Sequence, residues 1–243
     1  MNAICLITFQ PNKIWCKFLN DFTKYNIFII IDDVHFVLDD FEKKYTNINF
    51  IKIGNEPCKI NGYVNANFTL NKLISGWDKA LYYFGVEKRD HDFVWFIEDD
   101  VYFYNEKTIL DIDKKFTKAD LLSNNCTINA AGNKDYWHWS LINIKYVPPY
   151  YNGMMCAVRI SKKLSECMND YAKSNKTLFF LEAFIPTIAV KNNLRCANIK
   201  ELKEMHFRHD FDSYSINETQ LFHPVKNIDN HISFREKYYN IEK

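Results

Sequence analysis

The sequence predicts an α/β domain built on a central, mainly parallel sheet flanked by helices. Three observations carry that prediction. Short runs of β-branched and aromatic residues occur without polar interruption, as strands covered on both faces require. A segment with apolar residues at helical spacing separates the first two runs, the order of a strand–helix–strand unit with a right-handed crossover. Two of the runs end abruptly in carboxylates, at Asp32-Asp33 and at Glu98-Asp99-Asp100. In open α/β sheets ligands bind outside the carboxyl ends of the strands, which puts both acid caps on the ligand side.

Composition narrows the class. The 243 residues are 47% hydrophobic and 16% aromatic with only six Gly and six Pro, the make-up of a folded chain with one sizeable core. A formal charge of +1 gives no electrostatic case for nucleic acid or an anionic membrane. No apolar run approaches the ~20 residues that span a bilayer. The seven cysteines are scattered, odd in number and never spaced CxxC, which argues against a disulfide framework and a zinc site. Four N-x-[ST] sequons, at Asn67, Asn125, Asn175 and Asn217, are expected by chance in so Asn-rich a chain. The expectation is a reduced, cytoplasmic protein of one domain.

In chain order, Ala3 to Phe9 is a first strand, lacking the basic flank of a signal peptide. Trp15, Phe18, Leu19 and Phe22 recur at helical spacing, predicting a helix from about Lys13 to Lys24. Ile27 to Ile31 is a second strand, capped by Asp32 and Asp33, and Ile48 to Ile53 a third before the turn Gly54 to Pro57. Asn71 to Phe84 carries an apolar stripe that includes Trp77, read as core.

The fourth strand, Phe93 to Ile97, is the element on which the rest is organised. Three adjacent acids at its end repel one another unless solvent or a cation neutralises them. In an extended chain Glu98 and Asp100 point to one side, placed to share a hard cation such as Mg2+ or Mn2+, while Asp99 faces elsewhere. An acidic surface turn is the alternative.

A charged helix is expected over Glu106 to Asp120, then loop chemistry from Asn129 to Asp135. Trp137 and Trp139 flank His138 in an irregular region, either plugging the core or forming a stacking wall for a sugar or base. Pro148 to Gly153 reads as a turn, Met154 to Ser161 as a strand, and Ser161 as the cap of a helix from Lys162 to Lys173. Glu182 is the single acid between Thr177 and Val190; buried there, its pKa would rise toward that of a general base, whereas on an exposed helix face it would be inert. His206, Arg208 and His209 form one late cluster and His223-Pro224-Val225-Lys226 another. Beyond Ile232 the chain reads as a solvated tail or edge helix.

Together these positions resemble the nucleotide-sugar-dependent glycosyltransferases of the GT-A fold, in particular small ones of large DNA viruses and bacterial polysaccharide loci. The likeness runs from Ile4 to about Arg235. Glu98-Asp99-Asp100 is similar to the family's D-x-D motif, with Glu in place of the first Asp. The resemblance implies a nucleotide-binding half over about residues 1–103 and an acceptor half over about 104–235. It implies Mn2+ or Mg2+ held by Asp100, Glu98 and His223, and a nucleoside-diphosphate sugar, UDP-sugar favoured, held by Asp32, Asp33, Glu98, Asp99 and Lys226. Glu182 becomes the base of an inverting transfer to a glycan or protein acceptor. Trp137, Trp139, Tyr151, Asn152 and His206 become the acceptor or sugar surface. A nucleotidyltransferase needs a similar acid cluster, but usually a glycine-rich basic loop as well, and Gln10 to Trp15 has no glycine. A non-catalytic glycan-binding module on a degenerate GT-A scaffold is the third reading.

Overall fold

The computed structural model describes residues 2–67 and 72–239, without the side chains at 125 and 237–239. Its sheet has seven strands: β1 (Ala3–Thr8), β2 (Asn26–Ile31), β3 (Ile48–Lys52), β4 (Phe93–Glu98), β5 (Leu121–Asn129), β6 (Tyr150–Ser161) and β7 (Cys196–Asn198). They lie in the order β3-β2-β1-β4-β6-β5-β7. β3, β2, β1 and β4 pair in parallel, β6 runs antiparallel between β4 and β5, and β7 pairs in parallel with β5. The architecture is mixed and mainly parallel, as the apolar runs predict.

Each central strand is buried on both faces because its alternate residues feed two cores. Cys5, Ile7, Phe28, Ile30, Val94 and Phe96 face one core. Ile4, Leu6, Ile29, Ile31, Trp95 and Ile97 face the other. The helices are α1 (Lys13–Asn20), α2 (Asp39–Lys44), α3 (Asn55–Asn61), α4 (Gly76–Tyr82), α5 (Glu106–Lys115), α6 (Lys162–Asn175), α7 (Leu181–Lys191) and α8 (Ile228–Tyr239). α4, α6 and α7 cover the first face and α1 and α5 the second, giving three layers.

Local chemistry sets several boundaries. Asn12 caps α1 by accepting from the Trp15 amide at 2.9 Å, and Ser161 caps α6 by accepting from the Leu164 amide at 3.1 Å. The helix expected from Asn71, a residue outside those described, begins at Gly76, where Ser75 and Asp78 form a capping box. α1 stops at Asn20, short of the expected Lys24, and α5 stops at Lys115. The turn expected over Pro148 to Gly153 is instead largely strand, because Tyr150 to Asn152 pair with Thr127 to Asn129. β5 lies where no strand is expected. Ile228–Tyr239 form the helix α8, the second of the two alternatives expected beyond Ile232.

Two further pieces shape the site. Glu204–Met205 (β8) and Phe222–His223 (β9) form a small parallel ribbon. That ribbon is strapped to the segment after β4: the Tyr102 and Phe222 amides donate to each other's carbonyls at 2.8 and 2.9 Å, and the Val225 amide donates to the Asp100 carbonyl at 2.7 Å. The strap brings His223 beside the acids although 123 positions separate it from Asp100 in the chain. Among the described residues, no helix is long and apolar enough to cross a membrane.

Candidate active site

The parallel strands β1, β2 and β4 end on one side, at Thr8, Ile31 and Glu98, and there the chain opens into a cleft of about 560 Å³. Glu98, Asp100, Glu182, His223 and Lys226 line it, with Trp137 and Phe180 among its aromatic walls. Its size suits a small-molecule ligand.

The three acids after β4 divide as strand geometry requires. Asp99 turns away to the Thr8 hydroxyl, with which it makes a short contact, and its carbonyl accepts from Trp15 Nε1 at 2.8 Å. Glu98 and Asp100 both face His223, whose Nε2 lies 3.8 Å from Glu98 Oε2 and 3.3 Å from Asp100 Oδ1. Glu98 reaches this position because Trp77 Nε1 donates to its Oε1 at 2.6 Å, leaving Oε2 toward the imidazole. Burial raises the Glu98 pKa, and the Asp100 charge raises it further against the Trp77 hydrogen bond.

His223 is oriented from behind. Its Nδ1 lies 2.7 Å from the His206 carbonyl, which can only accept, so the ring presents Nε2 to the acids. Burial opposes the imidazolium, but the hydrogen bond and charge of Asp100, with the charge of Glu98, prevail and hold its pKa above the usual value. The imidazole thus sits beside two carboxylates, at a point where a divalent cation would also balance their charge. Two carboxylates and an imidazole with its far nitrogen pinned to a carbonyl are donors of the kind that could hold Mn2+ or Mg2+. Trp77→Phe, which removes the indole donor but keeps the ring in the core, is expected to weaken Mn2+ binding about 10- to 100-fold. Metal titration by calorimetry checks this.

Glu182 occupies the first turn of α7 and lines the same cleft. Thr187 anchors that helix to β6 through two 3.0 Å hydrogen bonds, accepting from the Tyr151 amide and donating to the Tyr151 carbonyl. Burial pushes the Glu182 pKa up to about 7, assisted by the Glu98 charge and opposed by His223. Pro186 sits within α7 and has no amide to donate to the carbonyl four residues before it, that of Glu182.

The aromatic residues differ in exposure, although the Trp137 and Trp139 rings touch at 4.7 Å between centroids. Trp137 adopts φ of 51°, a strained conformation for a bulky side chain, and packs on Phe180 at 5.7 Å between ring centroids. Trp139, expected in the same wall, is buried in the core against Tyr150 at 5.8 Å. Tyr151 and Asn152 also lie off the cleft: Tyr151 serves Thr187 through its backbone, and Asn152 Oδ1 accepts from the Thr127 hydroxyl at 2.6 Å. His206 contributes its carbonyl to His223, while its ring Nε2 lies 3.1 Å from Glu204.

The first acid pair stands apart from this cleft. Asp32 Oδ1 pairs with the buried Lys79 at 2.6 Å and Oδ2 with Lys72 at 3.2 Å, bordering a second hollow of about 480 Å³. Asp33 accepts from Gln10 Nε2 at 2.7 Å and from the His35 amide at 2.9 Å. Those bonds hold its pKa below the usual carboxylate value. Lys226 is exposed at the cleft mouth. Sequence reasoning missed Phe180, Met154 and Cys156 as lining residues and Trp77 as the partner of Glu98. Only Trp77 carried a signal, its place on a helix packed under the acid strand.

The mixed, mainly parallel sheet flanked by helices is a GT-A-type fold. Among solved structures, the chain is similar to the galactosyltransferase LgtC in complex with donor and acceptor sugar analogues. The two share 14% identity over 98% of this chain and 96% of that one, with a TM-score of 0.52. Two others align with a TM-score of 0.47: mouse xyloside xylosyltransferase 1 at 8% identity, covering 94% of this chain and 99% of that one, and the 4-diphosphocytidyl-2C-methyl-D-erythritol synthase of Anaerococcus prevotii at 12%, covering 98% and 95%. No family model and no curated protein matches the chain. At such identities the likeness is one of fold.

Proposed function

We propose that this chain is a divalent-metal-dependent glycosyltransferase that moves a sugar from a nucleoside diphosphate, UDP favoured, to a hydroxyl of a glycan or protein, with inversion. One observation carries the reading: a single cleft is lined by two carboxylates that face one imidazole and by a further carboxylate whose pKa is pushed up to about 7.

Glu98, Asp100 and His223 would hold Mn2+ or Mg2+, which when bound supplies electrostatic stabilisation of the leaving diphosphate. Lys226 adds positive charge at the mouth, where phosphates would enter. Trp137 and Phe180 form an apolar wall that excludes water and limits hydrolysis of the donor. Glu182, deprotonated, takes the proton of the acceptor hydroxyl as that oxygen attacks the anomeric carbon. Asp32 and Asp33, beside the end of β2, are assigned to the nucleoside end of the donor. Asp99 keeps a supporting role through Thr8.

Thermal-shift titration with UDP, GDP, CMP and ADP, with and without Mn2+, tests the reading. Ligand that binds only the folded chain raises the melting temperature by mass action. The expected result is a shift with one nucleotide that requires the metal. Product analysis by NMR is then expected to show an inverted anomeric centre; retention would remove Glu182 from its role as base for direct displacement.

A further inference from the structure

Cys156 belongs to the same cluster of donors as Glu98 and His223. The β4–β6 register pairs Ile97 with Ala157, and one step further along it sets Cys156 beside Glu98. The thiol is hydrogen-bonded to the Glu98 carboxylate and is 8% exposed, facing the cleft. One donor atom each from Glu98, Cys156 and His223 lies within 4.8 Å of the others. Tetrahedral donors at Zn–N of ~2.0 Å and Zn–S of ~2.3 Å sit roughly 3.5 Å apart, so about an ångström of side-chain adjustment closes this triangle on one ion. A hard ion such as Mg2+ gains little from sulfur, whereas a borderline ion gains much.

We propose that Cys156 is a donor to this cation site, forming with Glu98 and His223 a three-ligand face for a thiophilic divalent ion such as Zn2+ or Co2+. The inference rests on the cation site of the transferase reading and adds a second metal preference to it. On binding, the S–H bond breaks, a metal–sulfur bond forms and the proton leaves to solvent; no oxidation state changes. Asp100 with Glu98 offers oxygen to hard ions, while Cys156 with His223 offers sulfur and nitrogen to softer ones. Both faces use Glu98 and His223, so one ion excludes the other. Zn2+ binds such mixed sites more tightly than Mn2+ and is expected to displace it.

Cobalt reports the donor directly, because sulfur ligation adds a near-ultraviolet charge-transfer band to its spectrum. The full chain, stripped of metal with a chelator and titrated with Co2+, is expected to show that band. Cys156→Ser and Cys156→Ala are both expected to lose it, and the ratio of Co2+ to Mn2+ affinity is expected to fall roughly tenfold or more. Metal-free melting curves of both variants establish that they fold. Co2+ binding without a sulfur band, a band that persists in both folded variants, or no Co2+ binding would overturn the proposal. A sulfur band with no Mn2+-dependent nucleotide binding would uphold this site and sink the transferase reading. The opposite pair of results would sink only the thiol.

Discussion

Asp100→Ala is expected to abolish the metal-dependent nucleotide shift and to lower turnover by on the order of 10²–10³-fold. Asp100 presents the closer of the two carboxylates to His223, at 3.3 Å, so its loss leaves a hard cation with one acid instead of two. The backbone there is held independently, since the Asp100 carbonyl accepts from the Val225 amide whatever the side chain. The variant should therefore fold. The measurement is paired: melting curves with and without Mn2+ and nucleotide, and steady-state turnover. A variant that keeps both the shift and turnover within about threefold of wild type would remove Asp100 from the cation site.

The part of this site that can be read in the sequence is the part made by strands. Phe93 to Ile97 is apolar without interruption because both of its faces are core, and a strand covered in that way has to be central. Its acids then fall at a carboxyl edge, and period-two alternation separates Asp99 from Glu98 and Asp100 before any coordinates exist. β5 escapes the same reading because Ser123, Asn124 and Asn129 are buried polar residues in a bulged strand, so neither apolar run nor clean alternation marks it. Trp137 and Trp139 cannot be told apart by spacing. A positive φ at Trp137 accompanies its place on the cleft wall while Trp139 packs inward, and no pattern of residue types encodes that backbone angle. Cys156 was hidden by its partners: the donors come from positions 98, 156 and 223, and only the β4–β6 register and the strap between residues 100–102 and 222–225 unite them.

Glu182→Gln separates catalysis from stability. Glutamine keeps the shape and cannot take a proton, so kcat is expected to fall about 10²–10⁴-fold with little change in donor binding. The wild-type rate should rise as pH increases through the Glu182 pKa of about 7 and level off above it, since only the carboxylate is a base. Stability should move the other way. The folded pKa lies above the ordinary value of 4.5, so the folded state binds more protons between those two values. That contribution is complete below about pH 4.5 and is lost as pH rises through about 7. Above pH 7 the wild type carries a half-buried charge that glutamine does not, and Glu182→Gln is expected to melt at a higher temperature there, with the difference shrinking toward pH 5. Because the Glu98 charge is one of the causes of the raised value, chelating the cation should move the wild-type stability transition to higher pH and adding Mn2+ should move it down. Melting curves from pH 5 to pH 9, with Mn2+ or with chelator, read out both effects. A variant that loses turnover but melts like wild type across that range would show that the carboxylate is solvated, and the near-neutral base would no longer stand.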